Sequence, residues 1–180
     1  MAHTGDAVYV AVLPAYRRAC IDALLKQAPD ISLFASPEHL DRSVRTAIAS
    51  GLYTSVPMFR ICGKLFMQGG PIISVLRARN LIVDLNPRSI TAWLLPLVRK
   101  ASRGRRTVVW GHLFPRLGAD SKTGLLRRLM IRLSDGVIAY TYSQAREFKN
   151  DVRSPIRPVW VAPTSLYARE DLAVGPPSER

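Results

Sequence analysis

Short apolar runs alternate with amphipathic segments along most of this 180-residue chain. Ala7 to Leu13 is continuously apolar and rich in valine, which is typical of a β-strand buried on both faces. Apolar residues then recur at helical spacing from Ile21 to Ala28, and Ile31 to Ala35 predicts a second strand. Because parallel strands need such crossovers, the pattern predicts an α/β fold with a Rossmann-like, doubly wound parallel sheet.

The same alternation predicts the later elements. Apolar runs predict strands at Leu81 to Leu85, from Thr107 to Trp110, at Gly136 to Ala139 and at Val159 to Ala162. Helices are predicted at Pro71 to Arg79, after Pro87, at Lys122 to Leu133, and from a Thr141 cap to about Lys149. From Ser36 to Gly70 no period is clear: Pro37 to Ala49 is compatible with a helix and Met58 to Met67 with extended chain.

Two of these helices have predicted ends and faces. Asn86 is the expected N-cap of the helix that follows Pro87, and Pro96 should kink that helix. Its predicted apolar stripe consists of Ile90, Trp93, Leu94 and Leu97. The helix at Lys122 to Leu133 is expected to bury Leu126, Leu129, Met130 and Leu133 and to expose Arg127, Arg128 and Arg132.

Length and composition predict one domain over residues 1–167, followed by a disordered tail or linker over 168–180. No apolar stretch approaches the roughly 18 residues needed to cross a bilayer, and the N-terminus has no signal-peptide pattern. We therefore expect a cytoplasmic protein. Cys20 and Cys62 have neither metal-ligand nor disulfide spacing, which predicts two small buried side chains and no metal site.

The formal charge of +13 is unevenly distributed. Between Arg99 and Arg132 there are ten Lys or Arg residues and one acid, Asp120. Such a patch attracts the phosphates of nucleic acid, of an anionic membrane, or of a nucleotide or lipid diphosphate. Charge alone does not distinguish among these partners.

The segment from Thr107 to Gly118 combines a buried strand with a polar loop that contains His112 and Arg116. In open α/β sheets, ligands bind outside the carboxyl ends of the strands, so these two side chains are candidate site residues. His112 has a functional interpretation and an alternative as a locally satisfied histidine in a turn. Trp110, on the strand itself, is expected to pack in the core.

Arg88 and the pair Tyr16 and Arg17 also follow predicted strands. A cation in the first turn of a helix opposes the helix macrodipole, so Arg88 predicts either an anion bound at that helix terminus or a salt bridge to Asp84.

Four segments, in this order and each at a strand end, resemble the N-terminal domain of family 4 (group 1) GT-B glycosyltransferases. They are Pro14-Ala15-Tyr16-Arg17, Leu85-Asn86-Pro87-Arg88-Ser89, Trp110-Gly111-His112 with Arg116 and Gly118, and Tyr140-Thr141 with Val161-Ala162-Pro163. The resemblance covers about residues 7–167. It departs from the family pattern at Thr164, where asparagine is usual.

The resemblance implies a single GT-B half on the acceptor side, with His112 catalytic and Tyr16, Arg17, Arg88 and Arg116 contacting acceptor or phosphate. It implies transfer of a sugar from a nucleotide-sugar to a carbohydrate or lipid-linked acceptor, as in the synthesis of cell-envelope polysaccharide, without a metal or other cofactor. The family's donor-binding domain would follow about where this sequence ends. The expectation is therefore a domain inactive alone, which needs a donor domain on a second chain or further segment.

The main alternative is a non-enzymatic basic module on the inner, anionic face of the membrane, bound through the basic face of Lys122 to Leu133. An ordinary solvated helix face is the other explanation of that basic pattern. Nucleic-acid binding is disfavoured because no aromatic platform or recognition motif accompanies the charge. Walker A, Gly-x-Gly-x-x-Gly, Gly-x-Ser-x-Gly and His-Glu-x-x-His motifs are also absent, which disfavours P-loop, dehydrogenase, hydrolase and metalloenzyme classes.

Overall fold

A computed structural model describes residues 5–41, 43–102, 104–114 and 122–163. The strands in these ranges are β1 (Ala7–Val10), β2 (Ser32–Ala35), β3 (Thr54–Ser55), β4 (Met58–Cys62), β5 (Leu65–Gln68), β6 (Asn80–Asp84), β7 (Arg106–Trp110), β8 (Gly136–Ala139) and β9 (Val159–Val161). The α-helices are α1 (Arg18–Gln27), α2 (Ile72–Arg77), α3 (Ile90–Arg99), α4 (Lys122–Leu133) and α5 (Tyr142–Asn150).

Seven of these strands form one sheet in the order β3-β2-β1-β6-β7-β8-β9. Every neighbouring pair in it is parallel. The predicted α/β fold with a Rossmann-like, doubly wound parallel sheet is therefore confirmed. The strand order reverses between β1 and β6: β2 and β3 follow on one side, and β7, β8 and β9 on the other. Such a reversal leaves a crevice at the carboxyl ends of the strands.

Alternate residues of the central strands enter two separate cores. Val8 and Val10 of β1 pack in a cluster with Ile21 of α1, whereas Ala7 and Tyr9 belong to a second cluster on the opposite face. That second cluster takes its helical members from α2, α3, α4 and α5: Val75, Ala92, Leu95, Met130, Ile131, Ala145 and Phe148. Helices thus cover both faces of the sheet, as the continuous apolar runs predicted.

Strands β4 and β5 form a separate antiparallel hairpin. Its inward side chains, Phe66 and Gln68, are buried, and the Gln68 amide nitrogen donates to the carbonyl oxygen of Val10 at 3.1 Å. The extended prediction for Met58 to Met67 is therefore confirmed. The helical interpretation of Pro37 to Ala49 is wrong, since the residues described there form no helix. The Thr46 N–H instead donates to the Pro37 carbonyl at 2.8 Å and closes a loop.

Helix α3 begins later, and buries a different face, than the sequence predicts. Ser89 is the N-cap, because its Oγ accepts from the Ala92 N–H at 3.2 Å. Asn86 instead closes a turn by accepting from the Arg88 N–H at 3.1 Å, so Arg88 precedes the helix. The buried residues are Thr91, Ala92, Leu95, Pro96 and Arg99; the predicted Leu94 and Leu97 are about half exposed. The stripe was wrong because Thr91 and Arg99 point inward and make polar contacts.

Helix α4 has the predicted bounds but another inward face. Met130 is buried as predicted, together with Ile131, whereas Leu126 and Leu129 are exposed. The inward row instead consists of Gly124, which is buried, Arg127, which is partly buried, and Met130. A polar residue in this row displaces the apolar stripe that a periodicity analysis expects.

The caps and cysteines give mixed outcomes. Thr141 caps α5 as predicted, accepting from the Gln144 N–H at 3.2 Å. Cys20 is partly buried, but Cys62 is exposed, so its predicted burial is wrong. Cys62 lies at the end of β4, next to the turn that closes the hairpin, where the outer face has no covering element among the described residues.

Candidate functional site

A cleft of about 340 Å³ lies at the carboxyl ends of β1, β6, β7 and β8, where the strand order reverses. Four of the five predicted site residues line it together: Tyr16, Arg17, Arg88 and His112. The fifth, Arg116, lies outside the described residues. Residues separated by almost a hundred positions therefore meet at one edge of the sheet.

The floor of the cleft is a buried ion pair. Both terminal nitrogens of Arg17 donate to Asp84 Oδ1 at 3.1 Å, and one of them also donates to the Tyr140 hydroxyl. The Arg17 guanidinium carbon lies 4.4 Å from the centre of the Trp110 ring. Asp84 Oδ2 accepts from the Ala11 N–H at 2.5 Å. These contacts fix the loop after β1 to the ends of β6 and β8.

This pairing determines the charge of the floor. Burial alone would lower the pKa of Arg17, but Asp84 and Tyr140 raise it above its ordinary value. Burial, together with nearby Asp84, raises the pKa of Tyr140 to about 12 although Arg17 acts in the opposite direction. At neutral pH the floor is thus a charged Arg17, matched by Asp84, beside a neutral phenol. Trp110 is buried, as predicted.

His112 lies above this floor and is oriented by α5. Its ring is edge-on to Tyr140, with the ring centres 4.6 Å apart. Gln144 Oε1 accepts from the Leu113 N–H at 3.3 Å, which turns the Gln144 amide nitrogen toward His112 Nδ1 at 3.2 Å. Because an amide nitrogen only donates, Nδ1 accepts, and the neutral ring carries its proton on Nε2.

A second histidine, His39, lines the same cleft. Its Nδ1 accepts from the Asp41 N–H at 3.2 Å, and its ring is edge-on to Phe66 with centres 5.3 Å apart. Burial is the largest influence on the pKa of His39, which lies below its ordinary value. His39 is therefore neutral at pH 7 and adds no charge to the cleft.

Arg88 and Arg127 also line the cleft, and they differ from Arg17 in their ion pairing. The Arg88 backbone is fixed, since its carbonyl accepts from the Phe66 N–H at 3.0 Å. Among the described residues, neither guanidinium has a carboxylate partner within an ion-pair distance. Burial lowers the pKa of Arg127, and the nearby Arg88 lowers it further. The cleft therefore carries an excess of positive charge.

Sequence reasoning missed several residues of this site. Tyr140 and Gln144 were noted only for the resemblance and for a helix cap, Asp84 only as a possible partner of Arg88, and Arg127 as an exposed residue. A signal for Arg127 existed: it lies three residues after Gly124 and three before Met130, both buried. Gln144 contacts His112, 32 positions away, and Tyr140 contacts Arg17, 123 positions away. Contacts over such distances leave no local pattern in the sequence.

Within the described ranges, no three His, Cys, Asp or Glu side chains are grouped as a metal site requires. In the same part of the chain, no helix is both long and apolar enough to cross a membrane. Comparison of the chain with protein-family models and with curated protein sequences finds no match. What is established is an α/β domain with a seven-stranded parallel sheet and a cationic cleft at its carboxyl edge.

Proposed function

We propose that this domain is the acceptor-binding half of a GT-B glycosyltransferase, which acts with a nucleotide-sugar-binding domain. One observation supports the proposal above others: three segments of the resemblance, represented by Tyr16, Arg88 and His112, line a single cleft at the strand-order reversal. Because any parallel sheet brings its strand ends to one edge, the support lies in the side chains found there: an aromatic ring, a cation and an oriented imidazole.

The geometry of His112 suits an acceptor site. With its proton on Nε2, the ring offers a hydrogen-bond donor to a sugar hydroxyl, and its orientation is fixed by Gln144 and Tyr140 before a ligand binds. Tyr16, which is 38% exposed, provides an aromatic surface on the same cleft. In this proposal His112 orients the acceptor, while the second domain supplies the donor and its diphosphate contacts.

The test is glycan binding followed by transfer. The purified chain is screened by saturation-transfer NMR against glycans and lipid-linked saccharides, and nucleotide-sugars are then added with any acceptor that binds. We expect saccharide binding that His112→Ala weakens at least tenfold. The matched control is Tyr142→Ala, an exposed residue beside the α5 cap that does not line the cleft; it should leave binding unchanged.

Two results would contradict the proposal. Failure of every saccharide class to bind would remove the acceptor role. Binding of a nucleotide-sugar that depends on His112 would show that the cleft holds the donor instead. Transfer that requires His112 when a donor domain is supplied would support the complete mechanism.

A second candidate function, docking on an anionic membrane, is favoured by one surface. The hairpin and helices α2, α3 and α4 contain no Asp or Glu. Their outer sides expose apolar residues: Phe59, Ile61, Met67, Ile73, Leu94, Leu97, Val98, Leu125, Leu126 and Leu129. Exposed apolar side chains mixed with cations and no acids are typical of surfaces that bind anionic lipid.

Vesicle co-sedimentation tests this second function. We expect binding to phosphatidylserine-containing vesicles that falls with salt, and a loss of at least about fivefold for Leu97→Glu. Gln27→Glu adds the same charge on the exposed side of α1, on the other face of the sheet, and should have little effect. Equal losses for the two variants would show a net-charge effect rather than a docking surface.

A further inference from the structure

Buried polar atoms without a partner are concentrated at the cleft. Within the described ranges, four buried side-chain nitrogens have no hydrogen-bond partner: Arg17 Nε, Trp110 Nε1, Arg127 Nε and Arg127 Nη1. All three residues line the cleft. All four atoms are donors, so the groups that would complete this site are hydrogen-bond acceptors.

The charge of the cleft indicates which kind of hydrogen-bond acceptor would bind there. Among the described residues, Asp84 is the one carboxylate that lines the cleft, and Arg17 donates to it at 3.1 Å. Arg88 and Arg127 remain as two guanidinium groups on the same cleft. Neither belongs to an ion pair between described residues. A ligand with two negative charges would balance them, whereas a neutral ligand would leave both uncompensated.

Arg127 is held in position by the packing of α4. The helix turns Gly124 and Met130 inward, and Arg127 lies between them in the same row. Thr123, one turn before Arg127, also lines the cleft and provides a hydroxyl. Buried N–H groups without a partner destabilise a fold unless a ligand, an ion or water satisfies them, so the Arg127 guanidinium has donors to offer to a bound group.

We infer that Arg127, together with Arg88 and Thr123, forms a binding site for a phosphate-class oxyanion, either a phosphate monoester or a diphosphate. The planar guanidinium of Arg127 matches two oxygens of one phosphate, which a lysine would not. This inference rests on the proposed function for its biological meaning: the acceptor would be a saccharide joined to a phosphate or diphosphate. The binding chemistry itself does not depend on transfer.

Isothermal titration of the full chain with inorganic pyrophosphate tests the site. We expect saturable binding that Arg127→Met weakens by about ten- to a hundredfold, the usual loss for charge-assisted hydrogen bonds. Arg128→Met is the matched control, because it removes the same charge from the next residue of α4, which does not line the cleft. It should change the dissociation constant less than about twofold. Arg127→Lys should fall between the two.

Three outcomes would overturn the inference: no saturable binding of pyrophosphate, equal losses in Arg127→Met and Arg128→Met, or full binding by Arg127→Met. Vesicles that contain phosphatidic acid form a second arm. Competition between these vesicles and pyrophosphate for Arg127 would identify a lipid headgroup as an alternative source of the phosphate.

The two proposals fail separately. Pyrophosphate binding that needs Arg127, in a chain that binds no saccharide, would refute the acceptor role and retain the oxyanion site. Saccharide binding that needs His112, without pyrophosphate binding, would do the reverse.

Discussion

The amino and carboxyl ends of the parallel strands each have an inward-facing arginine nearby, and the two differ in their hydrogen-bond partners. At the amino edge, Arg99 of α3 donates to the Leu76, Ala78 and Arg106 carbonyls at 2.7, 2.9 and 2.8 Å and to Thr107 Oγ1 at 2.8 Å. At the carboxyl edge, Arg127 of the neighbouring helix α4 leaves Nε and Nη1 unpaired among the described residues. Burial lowers the pKa of both. The comparison separates an arginine that the fold itself uses from one available to a ligand.

The largest effect is expected at the amino edge. Arg99→Met should destabilise the fold by at least about 4 kcal/mol, because buried and partly buried carbonyls at and just after the end of α2, and at the start of β7, lose their donor. Urea unfolding followed by circular dichroism measures the change. Lys100→Met, at the exposed neighbouring position, should stay within about 0.5 kcal/mol of the parent protein. A loss below about 1 kcal/mol for Arg99→Met would contradict this role.

The second-largest effect on stability is expected for the ion pair at the floor of the cleft. Asp84→Asn removes the charge that matches the buried Arg17 and should cost about 3 kcal/mol, near the lower limit for breaking a buried ion pair. The control is Asp22→Asn, which breaks the exposed pair that Asp22 makes with Arg18 at 3.8 Å and should cost less than about 1 kcal/mol. Similar midpoints for both variants in urea would show that Arg17 does not depend on Asp84.

The smallest effect should have the opposite sign. Without a ligand, Arg127→Met should leave the fold as stable as the parent or stabilise it by up to about 1 kcal/mol, because it removes a partly buried cation that has no ion-pair partner among the described residues. Thermal unfolding in a phosphate-free buffer measures this change, with Arg128→Met as reference. A loss of 2 kcal/mol or more would place Arg127 with Arg99, among the arginines that hold the fold.

The sequence predicted the sheet better than the helix faces. Strands such as β1 and β8 are short apolar runs between polar segments, so composition alone locates them. Helix faces were wrong wherever an inward position is polar: Arg99 and Thr91 in α3, and Arg127 in α4. Hydropathy assigns such residues to solvent, and only the tertiary structure shows the carbonyls, or the cleft, that receive them.

Part of the site was predictable for a topological reason. Side chains just after parallel strands lie at the same edge, which is why Tyr16, Arg17, Arg88 and His112 line one cleft. Which of these side chains has a partner within the protein was not predictable. The Arg17–Asp84 pair joins residues 67 positions apart, and nothing local indicated that Arg17 has an ion-pair partner while Arg88 has none among the described residues. The helix-terminus argument for Arg88 failed because Ser89, not Asn86, caps α3.

Gln144 links two segments that are distant in sequence. The same residue whose backbone N–H is held by the Thr141 cap holds the Leu113 amide and the His112 ring with its side chain. Fraying of the first turn of α5 would therefore break the Gln144 contact to His112 and expose the Leu113 amide together, as one cooperative opening. Hydrogen exchange at Leu113 should then report how often the Gln144 contacts open, and Thr141→Ala should accelerate that exchange without disturbing the sheet.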